Sequence, residues 1–303
     1  MENRNRVAGT SRRDLFLGSA ALGLGALSAP AFAQTPGCPE DTLDRIQRTG
    51  TFNLGVRDSA PPYGFKDASG QYTGFATEMA RAIYDAVNKE LGGSIQLAMV
   101  PVTSQTRVPL LQNATIDMEA GASVVTQGRS KVVDFLIPHF LTATGLLVPA
   151  DSPIKSLADM SGKRIGVPQG GLEEAAYRDL NAKKLTASPI RTIGFPDHAQ
   201  GVTALQTGTI DGYSSDEPIL YGFGTDRAKW RVVSININSF QQAFLIRPAS
   251  SKFKRIADVT LANLFAGGQW NALFEKYFGP ASATPLPLTD QLKTLVMMNS
   301  WPA

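Results

Sequence analysis

The chain has 303 residues and a formal net charge of only +3, from 29 Lys and Arg against 26 Asp and Glu. That balance excludes the basic stripe that gathers nucleic acid. Two histidines (His139, His198) and one cysteine (Cys38) supply neither an internal disulfide nor a structural zinc site, so no metal and no cofactor are expected.

At the N-terminus, Ser11-Arg12-Arg13-Asp14-Leu15-Phe16-Leu17 precedes an Ala/Leu/Gly run that closes on Ala31-Phe32-Ala33, a small-x-small pattern. Residues 1–33 read as a twin-arginine export signal cleaved near Ala33, which sends the mature chain to the periplasm. The apolar run 15–27 is too short and too glycine-rich to span ~30 Å of hydrocarbon. Cleavage removes Arg4, Arg6, Arg12 and Arg13 along with Glu2 and Asp14, so the net charge falls by two, to +1. Thr35-Pro36-Gly37 ahead of Cys38 lacks the Leu-x-small pattern of a lipid-attachment site, leaving Cys38 as an inert thiol on a tail.

The rest is long enough for two domains. Short apolar runs alternate with helical periods, which favours an α/β fold. In chain order the pattern predicts a strand over 52–57, a helix over 74–90, a strand over 95–100, a helix over 107–112 and a strand over 118–120. A helix start at Arg129 and an extended run over 142–148 follow. Next come a strand over 164–168, a helix over 173–181, a strand over 190–195, a helix over 198–207, a strand over 212–214 and a helix over 218–223. A second extended run, 241–247, precedes helices over 252–267 and 268–278.

The most informative segment is 102–140, which presents Arg107 and Arg129 around Ser104-Gln105-Thr106-Arg107-Val108-Pro109-Leu110-Leu111-Gln112-Asn113 and Asp117-Met118-Glu119-Ala120-Gly121. This resembles the extracytoplasmic solute-binding proteins of family 3, which serve polar amino-acid ABC transporters. It is most similar to their glutamate/aspartate-binding branch, over about residues 42–279. The resemblance implies a two-lobed periplasmic binding protein of type II whose lobes close over a solute. Lobe I would comprise 42–145 and 243–279, with lobe II over 146–242. The extended runs would be the hinge strands, and 271–279 would be the closing helix. The tail 280–303 would strap one lobe.

Arg57 follows the first strand, before the loop-forming Pro61-Pro62 and Gly64, and ligands of open α/β sheets bind at such strand ends. The resemblance implies that Arg57 and Arg107 grip a side-chain carboxylate and Arg129 the α-carboxylate, through bidentate charge-assisted bonds. Tyr63 and Phe65 either line the pocket or pack beneath the loop. Ser104 and Ser123 offer hydroxyls to a carboxylate. Alignment on Glu119 and Arg129 puts Ala122 at the family's usual serine and Val124 at a usual threonine, which leaves backbone donors there.

In lobe II, Pro168, Gln169, Gly170 and Gly171 replace the family's hydroxyl-rich turn at a helix start. That helix N-terminus, at Gly171, still offers free N–H groups to an anion, while Glu173 opposes one unless it points outward. His198 matches a histidine that contacts the acidic ligand in the resembled branch; helix capping or simple solvation is its alternative. Asp216 stands where the family has its ammonium-binding aspartate; capping the helix ahead of Pro218 is the alternative.

Three arginines against Asp216 leave the cleft about two charges positive, and glutamate or aspartate answers both signs at once. The expectation is a monomeric carrier that delivers an acidic amino acid to a membrane permease, with no catalytic residues. The competing reading is an enzyme like the exported cyclohexadienyl dehydratases, in which Glu173 or Asp216 protonates a leaving hydroxyl.

Overall fold

The computed structural model describes residues 39–183 and 187–302. The export segment, its cleavage at Ala33 and the thiol of Cys38 lie outside the described residues.

Helix α1 (Thr42–Thr49) begins where the Asp41 carboxylate accepts the Leu43 N–H at 2.9 Å and ends at Gly50, whose φ of 67° suits glycine. Strand β1 (Thr51–Val56) buries Phe52, Leu54 and Val56, the period-two face of its sequence. Strands β2 (Ser59–Ala60), β3 (Gly64–Lys66) and β4 (Tyr72–Thr73) make a small antiparallel sheet, followed by α2 (Phe75–Glu90) and β5 (Gln96–Pro101). Then come α3 (Arg107–Gln112), β6 (Met118–Ala120) and β7 (Asp134–Phe135). The helix expected from Arg129 is a single 3-10 turn, Arg129–Lys131, because the backbone is soon taken up by sheet pairing in β7.

Strand β8 (Phe140–Pro149) leads to β9 (Arg164–Pro168), α4 (Leu172–Ala182), β10 (Arg191–Phe195), α5 (His198–Gln206), β11 (Gly212–Asp216), α6 (Glu217–Phe223) and β12 (Trp230–Gln242). The chain closes with β13 (Leu245–Ile246), α7 (Ser251–Ala266), α8 (Gln269–Phe278) and α9 (Asp290–Asn299).

Two five-stranded sheets result. The first has the order β5-β1-β6-β13-β7, with β1 parallel to both β5 and β6. The second has the order β10-β9-β11-β8-β12, with β9 parallel to β10 and β11, and β8 antiparallel to β11 and β12. Against the first sheet packs an aromatic core: Tyr63 meets Phe140 edge-on at 5.3 Å and Phe75 meets Phe278 at 5.2 Å. The second sheet has a separate core around Leu146, Val148, Ile165 and Tyr177.

Strand β8 ties the two cores together, with Phe140 in one and Leu146 and Val148 in the other. The chain returns between β12 and β13. The second extended run was expected over 241–247, but pairing with β8 holds the strand from Trp230 to Gln242. Ala243 and Phe244 then turn into the buried interior, and Leu245 and Ile246 join the first sheet. Helix α9 seats Leu292 and Leu295 on the first core, and Asn299 Nδ2 donates to the Pro138 carbonyl at 2.9 Å.

Candidate functional site

The parallel strands of both sheets point their carboxyl ends at one cavity, so residues just past those ends converge from distant parts of the chain. From the first sheet come Arg57 after β1 and Ala122 and Val124 after β6, joined by Ser104, Arg107 and Arg129. The second supplies Pro168, Gly171, Leu172 and Glu173 after β9, His198 after β10, and Ser215 and Asp216 at the end of β11, with Ile219 and Phe240 beside them. Open space at the centre is only about 30 Å³, room for roughly one or two waters. As it stands the cavity is too small for an amino acid. At the lip, Gly170 holds φ of 71° with Gln105 so near that a Cβ would lie 2.9 Å from its Cα.

The cationic side is held by fixed acceptors. Arg57 Nη1 donates to Ser104 Oγ at 3.1 Å, and Arg129 Nη1 donates to the Val124 carbonyl at 2.9 Å. Arg107 Nη1 donates to Ser123 Oγ at 2.7 Å, and that hydroxyl donates onward to Glu119 Oε2 at 2.5 Å. Glu119, fully buried, keeps its other oxygen 3.8 Å from Arg107. Burial, with Arg107 close by, brings both Arg57 and Arg129 down to about 10. Both remain cations at neutral pH.

The other side is titratable. The Asp216 carboxylate accepts from Gln242 Nε2 at 2.7 Å. Although Asp216 stands at the N-cap position of α6, its side chain makes no capping bond, so its geometry is that of a cleft residue. His198 Nδ1 lies 3.0 Å from the Tyr213 hydroxyl, and Asp197 caps α5 in its place. Burial, then Arg57 and Arg107, hold the His198 imidazole well below its usual value, so it is neutral. Glu173 faces inward and is 6% exposed. Burial, then the neighbouring Asp216, push it up to about 8. Asp216 is raised to about 6, chiefly by burial.

Arg57, Ser104, Arg107, Ala122, Val124, Arg129, Gly171, His198, Asp216 and Pro168 all line this cavity. Ser123 and Gln169, expected there, do not, and of the two alternatives for Tyr63 and Phe65 the structure takes packing beneath the loop. Tyr63 is fully buried among Phe75, Phe140 and Phe278, and Phe65 packs on the same core, because the loop after β1 folds back on the first sheet. Ser123 lies behind Arg107 and supports it. Gln169 is half-buried and leans over Gly194 of β10, outside the cavity. Leu172, Ser215, Ile219 and Phe240 also line the cavity, beyond the residues the sequence points to. Leu172 and Ser215 adjoin Gly171 and Asp216 and were reachable by strand-end reasoning; Phe240 arrives through β8–β12 pairing, for which no local signal exists.

Two α/β cores joined by shared strands, with a charged and nearly shut cleft at their strand ends, define a two-lobed binding protein for a small charged solute. The profile of the bacterial extracellular solute-binding proteins, family 3, matches residues 52–280, and the chain belongs to that family. It is 31% identical over 289 residues to the L-glutamate/L-aspartate-binding protein of Pseudomonas aeruginosa, covering 92% of this chain and 94% of that one. The glutamate/aspartate import solute-binding protein of Escherichia coli is 29% identical over 291 residues, 91% of this chain and 93% of its own. Among solved structures, an ancestral amino acid-binding protein that is a precursor of cyclohexadienyl dehydratase superposes with a TM-score of 0.67 at 25% identity, over 78% of this chain and 99% of that one.

Proposed function

We propose that this protein is the periplasmic receptor of an ABC importer for an acidic amino acid, glutamate or aspartate. The observation that carries the reading is the convergence of Arg57, Arg107 and Arg129 with Asp216 on one closing cavity. Burying such cations unpaired costs of order several kcal/mol each, and a ligand with two carboxylates and an ammonium answers both signs. Arg57 and Arg107 hold its side-chain carboxylate, Arg129 and the α4 N-terminus its α-carboxylate, and Asp216 its ammonium. Neutral His198 adds a contact at the anionic end. Lobe I runs over 42–145 and 243–279 and lobe II over 146–242, with β8 and β12 as the hinge. The chain is exported by the twin-arginine route, loses residues 1–33, and works as a monomer that delivers its ligand to a permease.

One observation favours a second reading. Glu173 is a buried carboxyl that keeps its proton near neutral pH beside arginines suited to two carboxylates, the equipment of a general acid in a dehydratase acting on a dicarboxylate. A thermal-shift screen separates the two, since a ligand that binds only the folded state raises Tm. Shifts with glutamate and aspartate support the receptor. Shifts confined to prephenate or simple dicarboxylates, with turnover, replace it by the enzyme.

A further inference from the structure

The charges around the cleft do not add up as the sequence suggested. Behind Arg107 sits Glu119, and into the cavity itself projects Glu173, so the three arginines face three carboxyls, Glu119, Asp216 and Glu173. Fully ionised, these groups cancel, and the closed cleft matches a ligand with no net charge. With one proton on a carboxyl, the cleft is one charge positive and matches glutamate or aspartate.

The geometry says which carboxyl takes the proton. Glu119 is committed to Ser123 and to Arg107, and Asp216 to Gln242. Glu173 forms no ion pair among the described residues, and its carboxyl lies over Gly171 at the start of the helix on which it stands. The groups around it are Asp216 and Tyr213 of β11, Tyr177 one turn along α4, Arg107 of α3 and Arg129 of the 3-10 turn, with Arg57 and His198 across the cavity. Asp216 repels its ionised form at close range, while both nearby arginines have other acceptors. Parting of the two halves would expose Glu173 to water and relieve the desolvation that raises it.

We propose that Glu173 sets the net charge of the ligand that the closed cleft accepts, an acidic amino acid entering together with one proton on this carboxyl. A neutral amide ligand holds that proton less firmly. Glu173 is thus a specificity-determining residue for the proposed receptor, and this inference rests on that reading.

The test is calorimetric titration of the purified protein with L-glutamate and with L-glutamine, from about pH 6.5 to 8.5, in buffers of different ionisation enthalpy. For the wild type, proton linkage predicts that glutamate affinity falls by about tenfold per pH unit, with close to one proton taken up, while glutamine affinity falls less steeply. Glu173→Gln makes the glutamate profile flat and abolishes proton uptake. Glu173→Asp, which keeps the carboxyl, keeps the slope. A wild-type glutamate profile as flat as that of Glu173→Gln overturns the inference and leaves the receptor reading intact. Absence of glutamate binding in every form at every pH overturns both.

Discussion

On the first-sheet side of the cleft the charged groups facing the cavity are arginines, each bonded to a fixed acceptor: Arg57 to Ser104, Arg107 to Ser123, Arg129 to the Val124 carbonyl. On the second-sheet side they are the carboxyls of Glu173 and Asp216, which burial raises toward neutral pH, beside the neutral imidazole of His198. Arginine stays charged at any physiological pH and presents a planar fork, so the first side is a permanent anion cradle. Desolvation on closure acts instead on the acidity of the second side. On the proposed reading, anion recognition and charge selection are divided between the halves, and closure couples them.

The largest expected effect comes from breaking the permanent side. Replacing Arg57 by Ala removes the proposed buried partner of the ligand carboxylate, a loss of about 3 kcal/mol or more, so glutamate affinity is expected to fall by at least about a hundredfold in calorimetry. Next is Asp216→Asn on the titratable side. Losing a charged hydrogen bond of about 1.5–3 kcal/mol weakens glutamate by roughly ten- to a hundredfold but spares glutarate, which has no ammonium. Equal losses for both ligands would make Asp216 a structural residue instead.

A third prediction sharpens the comparison through stability. The folded value for Glu173 is raised to about 8, above its unfolded value near ~4.3, so its contribution is fully present below the unfolded value and is lost as pH rises through about 8. Tm of the wild type should therefore decline relative to Glu173→Gln from about pH 5 to 9. A relative loss of about 2 kcal/mol, or roughly 4–8 °C, is expected, since cleft opening relieves the remainder. The same decline in both proteins would remove Glu173 from the account.

The smallest effect lies at the lip. Gly170→Ala places a Cβ at a φ of 71° and against Gln105, which penalises closure by about 1 kcal/mol. Affinities for glutamate and aspartate should drop together by roughly fivefold, with their ratio unchanged.

How much of this was legible depended on whether a residue's neighbours are local. The arginine side was readable because Ser104, Arg107 and Glu119 share one short segment, and strand ends locate Arg57. Asp216 was readable for the same reason, at the end of β11. The inward turn of Glu173 was not, because the face of α4 that meets the cavity is set by how its helix packs on the second sheet, with Tyr177 buried one turn on. Tyr63 and Phe65 were ambiguous in sequence because a loop has no period to say which way an aromatic points. Strand β12 extends beyond the sequence expectation because its polar residues, Ser239, Gln241 and Gln242 among them, hide a pairing that only β8 reveals.

The central claim, that the cleft recognises two carboxylates and an ammonium together, is tested most directly by titrating the wild type at about pH 7 with L-glutamate, L-glutamine and glutarate in parallel. The account predicts that glutamate binds at least about tenfold more tightly than either of the others, each of which lacks one recognised charge. Glutamine or glutarate binding as tightly as glutamate would contradict it.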